Sequence, residues 1–254
     1  MEVAVCVKRV PMVGGKIVVT ADGQDVDTRM SGFTVSPHEE CAVEEAVRLA
    51  ERDGGRVTVL TLGPAAAADQ LRDMLAIGAS RAVLLETDGR EWGPIATAAA
   101  IVDALRAGGP YDLILFGNEA ADTGGFQVGV RVAHLLGLPC VTGIKHLEVS
   151  GGRLRAGREY RGTEEAYDLP LPAVVSVKEG INLPRYPSLP GRLRAKRAAI
   201  ERIEPERYPW HAEGLRKERL RVPPAQNKRA EILGTGAGAV PALVALLDDL
   251  GVLP

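Results

Sequence analysis

The feature that most limits the fold is an alternation. Short runs of β-branched and aliphatic residues take turns with longer segments of helical period. "EVAVCVKRV" (Glu2–Val10) is the first strand-like run. "SPHEECAVEEAVRLAERDGG" follows with Ser36 as N-cap, Pro37 at the first helical position, acids in the first turn and Gly54 past the end. Then come the strand "RVTVLTLG" (Arg56–Gly63), the helix "AAADQLRDMLAIGAS" and the strand "RAVLLET" (Arg81–Thr87). The helix "GPIATAAAIVDALRAGG", the strand "YDLILFGNE" (Tyr111–Glu119) and the helix "GGFQVGVRVAHLLGLP" complete the series. Strands separated by helices over this many units predict an α/β fold with a doubly wound, mostly parallel sheet.

Two stretches depart from the alternation. "KIVVTADGQDVD" (Lys16–Asp27) carries an "ADGQ" turn and reads as a hairpin excursion. After Pro139, strand-like runs around a "SGG" turn (Ser150–Gly152) predict an antiparallel extension, and "PAVVSV" rejoins the sheet. No internal repeat of useful period occurs. From Gly180 the chain is rich in Pro and Arg, with few strand signals. A final amphipathic helix is expected at "AVPALVALLDDLG" (Ala239–Gly251). The tail holds too little apolar material for its own core, yet it is not of low complexity. Such a segment is disordered or ordered against something else, and a partner chain is the simpler explanation.

Composition excludes several functions. The 254 residues carry a net charge of −2, and aromatics are 4%, so neither a polycationic nor a base-stacking nucleic-acid surface is expected. No apolar run approaches the roughly 20 residues of a membrane helix, and the start lacks a signal peptide's apolar segment. Cys6, Cys41 and Cys140 have no C-x-x-C spacing, which fits a reducing compartment. His38, His134, His146 and His211 lack metal-ligand spacing, and no nucleophile constellation occurs, so neither a metal site nor a catalytic residue is expected.

Binding chemistry is expected at one sheet edge. "FGNEAADTGGFQVG" (Phe116–Gly129) leaves the carboxyl end of a strand and opens a helix, where open α/β sheets bind ligands. Free N–H groups at a helix start suit a phosphate, and Gly124, Gly125 and Gly129 allow close approach. A flexible helix-start loop would leave the same trace. "CVKRVP", "TLGP" with Gly63, and "SPHEE" reach the same edge, so four segments could converge on a nucleotide crevice.

The segment "GINLPRYPSLPGRLRAKR" (Gly180–Arg197) sets three prolines among apolar residues ahead of a basic run. With "VCVKRVP", "SPHEECAVEEAVRL", "AIGASRAVLL", D-x4-QVG at Asp122–Gly129, "LPAVVSV" and above all N-x-PRYPSLPG-x4-K, it makes the chain resemble the beta (small) subunit of electron transfer flavoprotein over essentially its whole length. The resemblance implies an adenine-nucleotide alpha hydrolase-like, Rossmann-like domain over residues 1–179. A partner-recognition loop and basic helix would occupy 180–200, and a C-terminal arm over 201–254 would wrap the large subunit.

The implied assembly is a heterodimer with the electron transfer flavoprotein alpha subunit, which carries most of the FAD in a mobile domain. Electrons would pass from acyl-CoA or other dehydrogenases to a membrane quinone oxidoreductase. By motif position Leu189 is the apolar anchor of the recognition loop, flanked by Pro187 and Pro190 and surrounded by Arg192, Arg194, Lys196 and Arg197. Matching positions for a buried AMP are Cys6, Ser36, Pro37, His38, Glu39, Leu62, Gly63, Asp122, Thr123, Gly124, Gly125, Phe126, Gln127, Val128 and Gly129. Departures from the family pattern are Ser36 for an asparagine, Gly124 for a second acid, the bulky Phe126, and His38 and Val13 at aromatic positions near the flavin. An electron-bifurcating branch of the family holds a second FAD in place of AMP. Glu165, with Glu164 beside it, matches a glutamate that meets a cation of the partner's flavin domain.

Two stand-alone adenine-nucleotide modules are rivals. Pyrophosphatase-type enzymes need S-G-G-x-D-S after the first strand, and stress-type modules need G-x2-G-x9-G-S/T; neither occurs at the required place. The direct start at a strand favours a bacterial cytoplasm over a mitochondrial import precursor.

Overall fold

Seven short runs form one fully parallel sheet: six are mostly aliphatic and largely buried, and the seventh, at one edge, is short, charged and largely exposed. The computed structural model describes residues 1–12, 17–29, 31–206, 217–224 and 230–253. Val13, Lys16 and His211, on which sequence expectations also fell, lie outside these described residues. The first strand, β1 (Glu2–Cys6), is followed by the two-residue strands β2 (Val10–Pro11) and β3 (Phe33–Thr34), which pair antiparallel. The first helix is α1 (Pro37–Asp53), and β4 (Arg56–Gly63), α2 (Ala68–Ile77), β5 (Arg81–Glu86), α3 (Pro94–Gly108) and β6 (Leu113–Gly117) continue the alternation. Next come α4 (Val128–Leu136), β7 (Cys140–Ile144), the antiparallel strands β8 (His146–Ser150), β9 (Arg153–Tyr160) and β10 (Thr163–Pro170), and β11 (Ala173–Val177). The chain continues through α5 (Leu189–Arg197), β12 (Glu201–Ile203) and α6 (Val240–Asp249).

The strand order is β12-β5-β4-β1-β6-β11-β7. From β1 the chain moves outward through β4 and β5, then returns to lay β6 on the other side of β1. That reversal makes the gap between β1 and β6 the topological switch point. One face packs α1 and α2 through Ala42, Val43, Leu71 and Met74, and Leu154 and Ala156 of the antiparallel sheet join the same core. The other face packs α3 and α4 through Ile101, Leu105 and Val132. The sheet is therefore doubly wound, with an antiparallel extension.

Three differences from the sequence reading have local causes. The first strand ends at Cys6 rather than Val10, because the following residues turn away to reach β2. The fourth helix starts at Val128, not at the glycines before it: Gly124 and Phe126 both take φ of +54°, a left-handed conformation that cannot continue a helix. Finally, Glu201–Ile203 pairs parallel with Val83–Leu85, so the sheet gains an edge strand where few strand signals stand.

By its internal contacts the chain divides into Met1–Arg219 and Leu220–Pro254. The second unit contains α6, and none of its described residues is buried.

Candidate functional site

At the switch point the chain brings three loops together. Lys8, just past β1, is the pivot. Its backbone N–H donates to Glu39 Oε1 at 2.9 Å, and its ammonium lies 2.7 Å from Asp122 Oδ2 and 3.5 Å from Thr123 Oγ1. Ser36 ties the start of α1 to the loop after β6, since its hydroxyl donates to the Glu119 carbonyl at 3.3 Å. Gly117 ends β6 directly under α1, and a Cβ there would stand 2.6 Å from Glu39 Cγ, so any side chain would push the two elements apart.

Glu39 holds the α1 start. Its second oxygen accepts from the Ser36 N–H at 3.0 Å, the back half of a capping box. Only 5% exposed, its carboxyl is pushed up to about 8 by burial, against the hydrogen bonds from Ser36 and Lys8. Cys6 lies beneath it in the core, where burial first and the Glu39 charge second raise its thiol far above the ordinary range. An inert thiol there supplies packing and strand backbone rather than nucleophilic chemistry.

His38 follows Pro37 on the first turn. Its Nε2 is 3.8 Å from Glu119 Oε1, and its buried Nδ1 has no partner. Leu62 and Gly63 reach the same sheet edge from the far side of β1. Leu62 packs into the α3–α4 core, and Gly63 accepts from the Thr87 N–H at 2.9 Å.

The start of α4 is open to an anion. No acid stands in its first turn and no side chain caps it; Gln127 Oε1 instead accepts from Arg131 Nη2 at 2.8 Å. The N–H groups of a first turn have no partner within the helix. An added Cβ at Gly125 would meet nothing within 4 Å, and the stretch Asp122–Gln127 is exposed. Val128 and Gly129 are half-buried, with Gly129 against Phe116 and Ser176. An uncapped helix start, led into by a loop that the Lys8 ammonium contacts at Asp122 and Thr123, fits the phosphate end of a nucleotide. The residues offered for it are Lys8, Thr123 and the backbone of Gly125–Gly129, since the Gly124 N–H already donates to the Ala120 carbonyl at 2.9 Å.

A recess of about 470 Å³ lies elsewhere, at the carboxyl ends of β5 and β12, lined by Glu86, Arg90, Trp92 and Arg202 among others. Its cations are matched within the chain, Arg202 by Glu86 and Arg90 by Asp88. Topology, not depth, therefore singles out the crevice between β1 and β6. Among the described residues no cluster of three or more His, Cys, Asp or Glu could hold a metal ion.

The loop before α5 forms a second surface. Ser188 caps α5 by accepting from the Gly191 N–H at 3.1 Å, which makes Leu189 and Pro190 the first residues of that helix. Leu189 is 71% exposed, Pro187 is half-buried, and Arg192, Arg194, Lys196 and Arg197 are exposed along α5. Glu165 lies on β10. It faces Arg158 across the hairpin and accepts from Arg158 Nε at 2.8 Å and Tyr167 Oη at 2.8 Å. Those bonds, Tyr167 first and then Arg158, hold its carboxyl below its ordinary value. A cation from another chain must share Glu165 with Arg158. Glu164 lies on the opposite face of the strand.

Sequence reasoning missed three participants: Lys8 as the bridge across the crevice, Arg158 as the partner of Glu165, and Arg185, which binds the loop before α5 to α1. Lys8 and Arg185 stood inside singled-out motifs, "CVKRVP" and N-x-PRYPSLPG, but neither motif named a partner for them. The pairings join residues that sequence spacing does not relate.

Comparisons with known proteins agree with this architecture. Residues 26–207 match the model of the electron transfer flavoprotein domain. The chain is 39% identical over 174 residues to electron transfer flavoprotein subunit beta of Bacillus subtilis (strain 168), covering 68% of this chain and 67% of that protein. The corresponding subunit of Syntrophomonas wolfei is 36% identical over 201 residues, covering 79% and 78%. The mitochondrial subunit beta of Oryza sativa subsp. indica is 36% identical over 210 residues, covering 81% and 83%. With a doubly wound sheet that carries its loops at the switch point, with the family match covering six of its seven strands, and with relatives 36–39% identical over two thirds or more of the chain, the chain belongs to the electron transfer flavoprotein family, among its beta subunits.

Proposed function

We propose that this chain is the small subunit of a heterodimeric electron carrier, joined to an electron transfer flavoprotein alpha subunit. Its work is positioning, with no acid–base catalysis of its own. The observation that carries the reading is the exposed Leu189, set between prolines on the first turn of a basic helix that is seated on the body of the chain. An apolar side chain held out in this way is a hot spot for a protein partner, and the cations around it steer an acidic one. The donors are acyl-CoA dehydrogenases of fatty acid oxidation, or other dehydrogenases, and the acceptor is a quinone oxidoreductase. The setting is the bacterial cytoplasm. Among the described residues no helix is long and apolar enough to cross a membrane.

FAD, held mostly by the alpha subunit, supplies the redox chemistry when bound. The crevice between β1 and β6 holds AMP as a structural nucleotide. The α4 start and Lys8 take its phosphate, and Ser36–Glu39 close over it from the α1 side. Exchange of Asp122 for phosphate as the partner of Lys8 would couple filling of the crevice to ordering of the Asp122–Gly129 loop. Glu165, shared with Arg158, steadies the flavin domain through a screened and therefore modest ion pair.

The test is nucleotide content. The chain is co-expressed with its alpha subunit, and the purified complex is denatured and its nucleotides are separated. One FAD and one AMP per heterodimer is the expected result. Two FAD and no AMP overturns the simple-carrier reading in favour of a bifurcating one.

A further inference from the structure

The docking surface has a foundation that the function described so far leaves unused. Residues Asn182–Arg185 are tied down along the flank of α1. Asn182 Nδ2 donates to the Cys41 carbonyl at 3.0 Å and to Glu45 Oε2 at 2.9 Å, and Arg48 Nη2 donates to the Leu183 carbonyl at 3.4 Å. Arg185 is held hardest. Its backbone N–H and Nε donate to Glu44 Oε2 at 3.1 and 2.9 Å, while Nη1 and Nη2 donate to Glu51 Oε1 and Oε2 at 2.7 and 2.9 Å.

Glu44 is only 2% exposed. Burial alone would raise its carboxyl, but the bonds from Arg185 and Arg48 outweigh burial and hold it below its ordinary value. A buried ion pair is a poor way to gain stability, since desolvation cancels much of the attraction. It is a good way to fix geometry, because the planar guanidinium bonds two carboxylates at once in one orientation.

The far stem is pinned independently to α2. Arg72 Nη1 donates to the carbonyls of Ala195, Lys196 and Ala198 at 2.9, 3.2 and 3.3 Å. Between the two stems the apolar side chains stand out: Leu183 is 84% exposed, Tyr186 87% and Leu193 52%, beside Leu189. Leu183, Tyr186 and Leu189 are each followed by a proline, which narrows their backbone freedom. The Arg192 guanidinium lies 5.1 Å from the Tyr186 ring centre. From Gly180 to Ile200 there is no acidic residue and there are five cations.

We propose that Arg185, clamped between Glu44 and Glu51 of α1, is the positioning residue of the docking surface, and that Tyr186 is an anchor alongside Leu189. The occupant is a protein with an apolar pocket rimmed by carboxylates. The clamp fixes the stem before binding, so docking loses less conformational entropy. This inference rests on the docking role of Leu189, and its test separates the two.

The assembled heterodimer is prepared as wild type and as Arg185→Lys, Glu51→Gln, Tyr186→Ala and Leu189→Ala. Electron transfer from a substrate-reduced acyl-CoA dehydrogenase is followed while the heterodimer concentration is varied, and amide exchange is read across Asn182–Leu189. Arg185→Lys keeps the charge against Glu44 but loses the fork, and Glu51→Gln weakens the clamp from its exposed side. Both are expected to raise KM for the heterodimer, by about tenfold for Arg185→Lys. Each should leave kcat and FAD content within about twofold and speed exchange at Arg185. Tyr186→Ala should raise KM without changing exchange.

If Leu189→Ala raises KM but neither clamp variant alters KM or exchange, the clamp is overturned and the docking role stands. If only Arg185→Lys acts and Glu51→Gln does not, Arg185 is a direct contact rather than a positioning residue. No effect of Leu189→Ala overturns both ideas. Wild-type heterodimer that binds vesicles of anionic lipid but not the dehydrogenase overturns the protein partner.

Discussion

At the scale of single residues, the chemistry of the crevice turns on Glu39. Its folded carboxyl, near 8, lies above the roughly 4.3 of an unfolded chain. The folded state therefore holds an extra proton between those values. Its contribution is fully present below about pH 4.3 and is lost as pH rises through about 8. Urea titrations of the chain from pH 5 to 9 should show stability falling with pH on this account. Glu39→Gln should flatten that fall. A variant as pH-sensitive as the wild type would assign the proton elsewhere. The role of Glu39 was only partly legible in the sequence. Ser36 and an acid three residues later spell a capping box, but the bond from the Lys8 N–H needs the loop after β1 to lie against α1. Phe126 was legible as an odd residue and not as a strained one. Its left-handed φ of +54° appears only once the chain turns into α4, and a β-carbon in that conformation costs on the order of 1 kcal/mol.

At the scale of elements, strands and helices with their own period were readable, and those made by their neighbours were not. β4 and α3 match their apolar patterns closely. β12 has three residues, two of them charged, and exists because the edge of β5 offers it hydrogen bonds and because Arg81 pairs with Glu201. The seat of α5 is likewise invisible in its own sequence. Its mean character is polar, and it is held by Gly191, where an added Cβ would lie 2.8 Å from the Ala76 carbonyl oxygen of α2. Even Gly191→Ala must shift one helix away from the other. The expected loss is on the order of 1–3 kcal/mol, or several degrees in melting temperature by calorimetry. KM for a donor dehydrogenase should rise in parallel, because α5 carries Leu189. An unchanged melting temperature would mean that the two helices separate freely and that the Gly191 contact carries no packing energy.

At the scale of the molecule, the doubly wound sheet could be read from the alternation alone, and the crevice from where its loops must fall. What the alternation could not supply was the purpose of the last unit. Leu220–Pro254 has no buried residue among those described, yet α6 exposes Val240, Leu243, Val244 and Leu246 over two turns. An apolar stripe of that kind stays in water only if something else covers it. The alpha subunit is the cover consistent with the proposed function. Met1–Arg219 contains both sheet cores and both stems of the docking surface. A chain ending at Arg219 should therefore keep a cooperative thermal transition and its helical circular dichroism. In pull-down with the tagged alpha subunit it should lose assembly by at least tenfold, since most binding energy comes from a few buried apolar anchors. Undiminished assembly would free α6 from that role and leave its stripe for another surface. Loss of the thermal transition itself would show instead that the last unit completes the fold of the first.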